Sequence, residues 1–134
     1  MKRKRLVFTL AELIVTVVIV GILASVAIVG YRKAIESSRG RDACIQLKLI
    51  QTAEKMRYLE QNSYVSCSNT SDCSQKLGLD LVGQDWKYSV VVNSGFTAKA
   101  ERVGVVSGQY NENCSYSITQ DDEEPTGTSC VYTP

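Results

Sequence analysis

The stretch from Leu6 to Tyr31, LVFTLAELIVTVVIVGILASVAIVGY, constrains this chain more than any other. Four cations, Lys2, Arg3, Lys4 and Arg5, precede it, and a single carboxylate, Glu12, is set inside it. No residue from Leu13 to Val29 is charged, a run of roughly 26 Å as an α-helix. With Leu6 to Ala11 added, the segment is long enough to cross a hydrocarbon core of about 30 Å. Within lipid every backbone N–H and C=O must bond inside the segment, so a helix is the structure expected. The basic cluster should stay cytoplasmic and direct the C-terminal part outward.

Other readings of the same stretch are a secretory signal peptide, a plain membrane anchor and a buried core helix. Ala24, Ser25 and Ala27 could mimic a signal cleavage site, but the apolar run is longer than a usual signal core. The rest of the chain is too small to bury such a helix easily. Glu12 discriminates further. A carboxylate in lipid costs several kcal/mol unless it is paired or neutralised. A plain anchor has no use for one, whereas a helix that packs on copies of itself can offset the cost with a neighbour's cation or free α-amino group. A Glu12 solvated at headgroup level would need no partner.

Phe8-Thr9-Leu10-Ala11-Glu12-Leu13, after a short basic leader and before an apolar run, resembles the N-terminus of type IV pilins and of the pseudopilins of type II secretion. The resemblance continues through Ile22-Leu23-Ala24-Ser25-Val26-Ala27 and Tyr31-Arg32-Lys33-Ala34, and covers the first third of the chain closely. Two positions depart from the family pattern. Val7 stands where the family usually has a Gly before the cut, and Val29 stands where it often has a Pro, although Gly30 beside it still weakens the helix. The resemblance implies cleavage between Val7 and Phe8 by a prepilin peptidase, N-methylation of Phe8, and assembly through Phe8, Leu10 and Glu12. Glu12 would pair with the Phe8 amino group of its own or a neighbouring copy, setting register.

The chain carries a net charge of +1. Loss of the leader through Val7 would remove four cations and turn the balance negative, so the mature chain is no general polyanion binder. Lys99 and Arg102 are too scattered to mark a nucleic-acid site. There is no histidine, which argues against common zinc and His-based catalytic sites. An exported head meets an oxidising compartment, where the five cysteines should form disulfides. Cys44, Cys67, Cys73, Cys114 and Cys130 leave one unpaired in a monomer and more than one two-bridge arrangement open. The favoured pairs are Cys67–Cys73, closing a short polar loop, and Cys114–Cys130, closing the C-terminal region. Cys44 is then a free thiol or a link to another part of the head.

The helix should continue from Tyr31 to about Glu60. Ile45, Leu49, Thr52, Met56 and Leu59 share one stripe at helical spacing, which is expected to pack on a sheet. Ala43, Leu47 and Ile50 form a smaller stripe on the opposite side, read either as tolerated exposure or as contact with neighbouring helices in a filament. Asn62 is a plausible helix cap. Tyr64 to Gln75 reads as a polar, stapled loop holding one glycosylation-type pattern, Asn69-Thr70-Ser71. An unmodified loop is the reading preferred there. Lys76 to Leu81 can make a single helical turn. Trp86 to Val92, Phe96 to Val103 and Cys114 to Thr119 read as strands, with Asn93-Ser94-Gly95 as the first turn. Gly104 to Asn113 holds a short apolar run and then turn residues.

Asp121, Asp122, Glu123 and Glu124 form the densest charge run. They could offer oxygens to calcium, as the resemblance to pseudopilins suggests, but contiguous charges more often mark a solvated loop. No nucleotide-binding Gly pattern and no Ser/His/Asp set is present, so neither an enzyme nor a cofactor is expected. The fold expected is α+β: a long N-terminal α-helix, apolar in its first half and amphipathic in its second, packed on a small antiparallel β-sheet, pilin-like. The divisions are a leader at 1–7, a transmembrane and assembly helix at 8–30, and a soluble head at 31–134. Within the head lie a helix at 31–60, a loop at 61–85, a sheet at 86–119 and a C-terminal loop at 114–130. The resemblance implies a structural subunit of a type IV pilus or pilus-like filament. Its partners would be copies of itself or other pilins, the prepilin peptidase, the inner-membrane assembly machinery and, before assembly, the lipid bilayer. Its place would be the inner membrane with the head in the periplasm, and later the filament. The alternatives are a pseudopilin of type II secretion and a single-pass membrane-anchored binding module.

Overall fold

The structure is a computed structural model and describes residues 8–105 and 110–134. Val7, the basic cluster at 2–5 and part of the 104–113 segment lie outside the described residues. The chain divides into two compact units, Met1–Ala34 and Ile35–Pro134. The first helix, α1, is assigned to Leu10–Gln61 and contributes to both.

In the first unit every side chain described from Phe8 to Ala34 is exposed. The run of Val, Ile and Leu is helical despite the modest helix propensity of β-branched residues. Its hydroxyls are satisfied inside the helix: Thr16 Oγ1 donates to the Leu13 carbonyl at 2.9 Å and Ser25 Oγ to the Ile22 carbonyl at 2.7 Å. The helix is long and apolar enough to cross a membrane, and neither hydroxyl offers an open hydrogen bond to lipid.

The second unit is α+β: its part of α1 packs on a small antiparallel sheet. α1 ends where Asn62 takes φ 52°, its N–H bonded to the Tyr58 carbonyl at 2.8 Å. The sheet is a meander of β1 (Trp86–Val92), β2 (Phe96–Arg102), β3 (Ser115–Thr119) and β4 (Thr126–Thr128), in that spatial order. Alternation places Trp86, Tyr88 and Val90, Phe96, Ala98 and Ala100, and Tyr116 and Ile118 on the buried face. The register sets Ala100 between Tyr88 and Tyr116, and Ala98 between Val90 and Ile118. Small residues on β2 between large ones on its neighbours leave a trough for the helix.

The helix face that enters this trough corrects the expectation. Gly40, Ala43, Cys44, Leu47, Ile50, Gln51 and Glu54 are the buried positions of α1, while Ile45, Leu49, Thr52, Met56 and Leu59 are exposed. Close approach decides between the faces. A Cβ on Gly40 would lie 2.6 Å from the Tyr116 hydroxyl and 2.8 Å from Tyr132 Cβ, so only glycine fits there. The buried stripe is also less apolar than its rival because two of its polar side chains bond on the inner side. Gln51 Nε2 donates to the carbonyls of Thr119 at 2.6 Å and Asp122 at 2.8 Å, and Glu54 accepts from the Val65 N–H at 3.0 Å.

The segment between α1 and the sheet holds a second helix, α2, at Thr70–Leu77; it lies within the 61–85 stretch expected to be loop and reaches only the first two residues of the turn expected at Lys76 to Leu81. Asn69 is its N-cap, accepting from the Asp72 N–H at 2.9 Å, and Gly78 closes it in the left-handed region at φ 66°. Cys67 and Cys73 are bonded, and Cys67 pairs with Val90 through two backbone hydrogen bonds of 3.0 and 2.9 Å. Thr70 Oγ1 accepts the Tyr88 N–H at 3.2 Å. The free edge of β1 is thereby covered. Cys114 and Cys130 are also bonded, and Cys44 is buried and free.

Candidate functional site

Among the described residues one polar cluster stands out in each unit. In the first, Thr9 and Glu12 cap the start of α1 reciprocally. Glu12 Oε2 accepts from the Thr9 N–H at 2.9 Å and from Thr9 Oγ1 at 2.8 Å, and the Glu12 N–H donates back to Thr9 Oγ1 at 3.2 Å. A Thr followed three residues later by a Glu is the capping-box spacing. The carboxylate also sits where the positive end of the helix dipole favours it. Glu12 thus has a local structural role that its apolar surroundings did not suggest. Phe8 and Leu10 beside it are exposed. Thr9 is the residue that sequence reasoning passed over, and the Thr-x-x-Glu spacing was its signal.

In the second unit, Glu36 is the centre of a buried polar network. Its carboxylate accepts from Arg39 at 2.5 Å, from Arg102 Nε and Nη2 at 3.3 Å each, and from Asn111 Nδ2 at 2.9 Å. Arg102 also donates to the Asp85 carbonyl at 2.8 Å and the Val103 carbonyl at 2.6 Å. It pairs with the Asp85 carboxylate at 3.3 Å, and its guanidinium lies 5.8 Å from the Trp86 ring centre. Its side chain is 5% exposed. Arg102, which the sequence offered only as one of several scattered cations, is an internal strut. Burial alone would push the Glu36 carboxyl up. The hydrogen bonds from Arg102, Asn111 and Arg39 outweigh that and hold it below the ordinary 4.5. Asn111, at φ 63°, also accepts the Val131 N–H at 2.8 Å, joining the C-terminal segment to the network.

Glu54 has the opposite balance. It is fully buried, and among the described residues Oε2 is bonded only to the Val65 N–H and Oε1 has no partner. Burial pushes its carboxyl up, against the smaller effects of that bond and of Arg57. Burial likewise raises the Cys44 thiol to about 11, which leaves it protonated and unreactive at neutral pH.

The acidic run does not converge on a point. Asp122 turns back to accept from the Thr119 N–H and Oγ1 at 2.8 Å each, Glu124 pairs with Lys48, and Asp121 accepts from Gln120 at 3.2 Å. Among the described residues no three acidic, cysteine or histidine side chains are grouped to hold a metal ion. A groove of about 290 Å³ lies beside the Glu36 network, lined by Arg39, Ile45, Gln46, Val82, Asp85 and Trp86 among others. It brings no nucleophile and base together.

Comparison with known proteins finds distant similarity to two type IV pilins. The chain is 28% identical over 116 residues, 87% of its length, to the type IV major fimbrial protein FimA of Dichelobacter nodosus. It is 39% identical over 62 residues, 46% of its length, to the type IV major pilin protein PilA of Myxococcus xanthus. The chain is a distant homologue of the type IV pilins. It spans 65% of the length of FimA and 28% of that of PilA. No protein-family model matches it, and no solved structure does. A pilin-like fold, with a long N-terminal helix and a small antiparallel sheet, agrees with that homology.

Proposed function

We propose that this chain is a structural subunit of a type IV pilus or a related filament, held in the inner membrane by its N-terminal helix until it is assembled. The observation that carries the reading is a carboxylate, Glu12, heading the first-unit part of α1, whose described apolar side chains are all exposed. Such a surface needs either lipid or other helices around it. Hydrolysis of the Val7–Phe8 peptide bond would free the α-amino group of Phe8, one residue before the Thr9 N–H that Glu12 already accepts. N-methylation would follow on that amine. In a bundle of such helices the amine and Glu12 of the same or adjacent copies would neutralise one another, offsetting the burial of each. Partners would be further copies or other pilins, and the peptidase and assembly machinery of the inner membrane.

The test is Glu12→Ala, scored for sheared filaments by electron microscopy and for the subunit in the membrane fraction. The expected result is loss of filaments with the subunit retained in the membrane. Normal filaments from the variant would refute the role of Glu12. The intact mass of the membrane-extracted chain tests processing: a start at methylated Phe8 supports the reading, and a start at Met1 supports an unprocessed anchored module.

A further inference from the structure

The exposed face of α1 in the second unit has a regularity that its burial pattern does not use. Ile45, Leu49, Thr52, Met56 and Leu59 are separated by alternating steps of four and three residues, the spacing of a coiled-coil seam. All five are exposed, Leu59 by 86%, Met56 by 61% and Ile45 by 60%. The one polar member, Thr52, donates its hydroxyl to the Lys48 carbonyl of its own helix at 2.8 Å, so it brings no unsatisfied donor to the seam. The opposite face of the same helix is buried against the sheet, and among the described residues nothing covers this seam.

The flanking charges identify the occupant. With Leu49 and Met56 at a positions and Ile45, Thr52 and Leu59 at d, both Lys48 and Lys55 fall at g, and Gln46, Ala53 and Glu60 at e. In a parallel in-register pair each g residue faces the e residue five places on in the other helix. Lys55 then meets Glu60 of a second copy, and two-fold symmetry makes the contact twice. Both side chains are exposed, and neither forms an ion pair within the described residues. An antiparallel pair would instead set g against g, Lys against Lys.

We infer that this face seats the same face of a second copy, parallel and in register, as a short coiled-coil seam between heads. The seam spans fewer heptads than the three or four of an independently stable coiled coil. The pair is therefore weak in dilute solution and forms where copies are concentrated, as in a bilayer. It is a contact between second units and does not depend on the filament reading.

The experiment uses the full chain in lipid vesicles under mild oxidation, with Thr52→Cys at a d position and Thr97→Cys on the exposed side of β2 as the control. The unsubstituted chain, with Cys44 buried, sets the background. The expected result is a disulfide-linked dimer from Thr52→Cys and none above background from Thr97→Cys. In the Thr52→Cys chain, Lys55→Glu or Glu60→Lys alone should lower the dimer yield about fivefold, and the two together should restore it. No dimer from Thr52→Cys, equal dimer from both cysteine positions, or yields indifferent to the charge reversals would each overturn the proposal.

Discussion

Arg102→Met tests whether the Glu36 network holds the second unit together. Methionine keeps most of the length of the arginine stem and removes its donors. Arg102 is 5% and Glu36 14% exposed at the side chain, so the carboxylate would be left largely buried without its main cation. Removing one partner of a buried pair costs roughly 3–5 kcal/mol. Glu36 keeps its bonds from Arg39 and Asn111, which brings the expected loss to about 2–3 kcal/mol at pH 7. The assay is urea denaturation of the full chain in mild detergent, followed by the emission of Trp86. That residue is the chain's single tryptophan, and it is buried beside Arg102. The pH dependence follows from the lowered Glu36 carboxyl. The unfolded chain takes up the proton first, near 4.5, so the contribution of Glu36 is complete above that value. It is lost as pH falls through the lower folded value. The penalty of Arg102→Met should therefore shrink between pH 7 and pH 3. A penalty below about 1 kcal/mol at pH 7, or one equal at both pH values, would refute the reasoning.

Glu54→Gln keeps an acceptor for the Val65 N–H and removes a buried charge. The raised carboxyl means that the folded state binds the proton more tightly, so the contribution of Glu54 is full below 4.5 and is lost as pH rises through its folded value. The variant should be more stable than the parent by about 1 kcal/mol at pH 7 and no more stable at pH 4, as read from denaturation midpoints. Gly40→Ala should gain about 1 kcal/mol in helix propensity but lose more, because its Cβ collides with Tyr116 and Tyr132. A net loss of about 1–2 kcal/mol is expected, and a stabilised variant would show that the helix does not approach the sheet so closely. Replacing Cys114 and Cys130 by Ser opens a bridge across a sequence separation of 16. Unfolding free energy should fall by about 3 kcal/mol, and the variant should no longer respond to reductant at that site.

What could be read from the sequence was the part of the fold encoded by local period. The long helix, the turn at 93–95 and three strands follow from the spacing of apolar residues and from turn chemistry. The face of α1 that meets the sheet does not, because the more apolar stripe is the exposed one. Packing here selects for fit: Gly40 admits Tyr116 and Tyr132, and Gln51 and Glu54 dilute the hydrophobicity of a face that bonds both of them internally. α2 was obscured by its polar composition, although Asn69, Asp72 and Gly78 mark both of its ends. β4 is three residues, Thr-Gly-Thr, with no alternation to detect. The Glu36 network joins residues 66 and 75 positions apart, and no local pattern announces such a meeting. At the N-terminus the motif around Glu12 was visible, but its reciprocal bond with Thr9 needed geometry.

The covering of β1 bears on how copies of this chain can join. A sheet grows by adding strands at an open edge. One edge of this sheet is occupied by Cys67 and Thr70, and the other ends in the three residues of β4. Strand addition is thus barred on one side and offers little length on the other. Copies are left to meet through side chains, in contacts that form and release without exchanging backbone hydrogen bonds. Cys67–Cys73 fixes one side of that barrier covalently. Reduction of the bridge would loosen Cys67 from Val90 and bare a strand of seven residues. The reduced protein would then present that edge for strand addition.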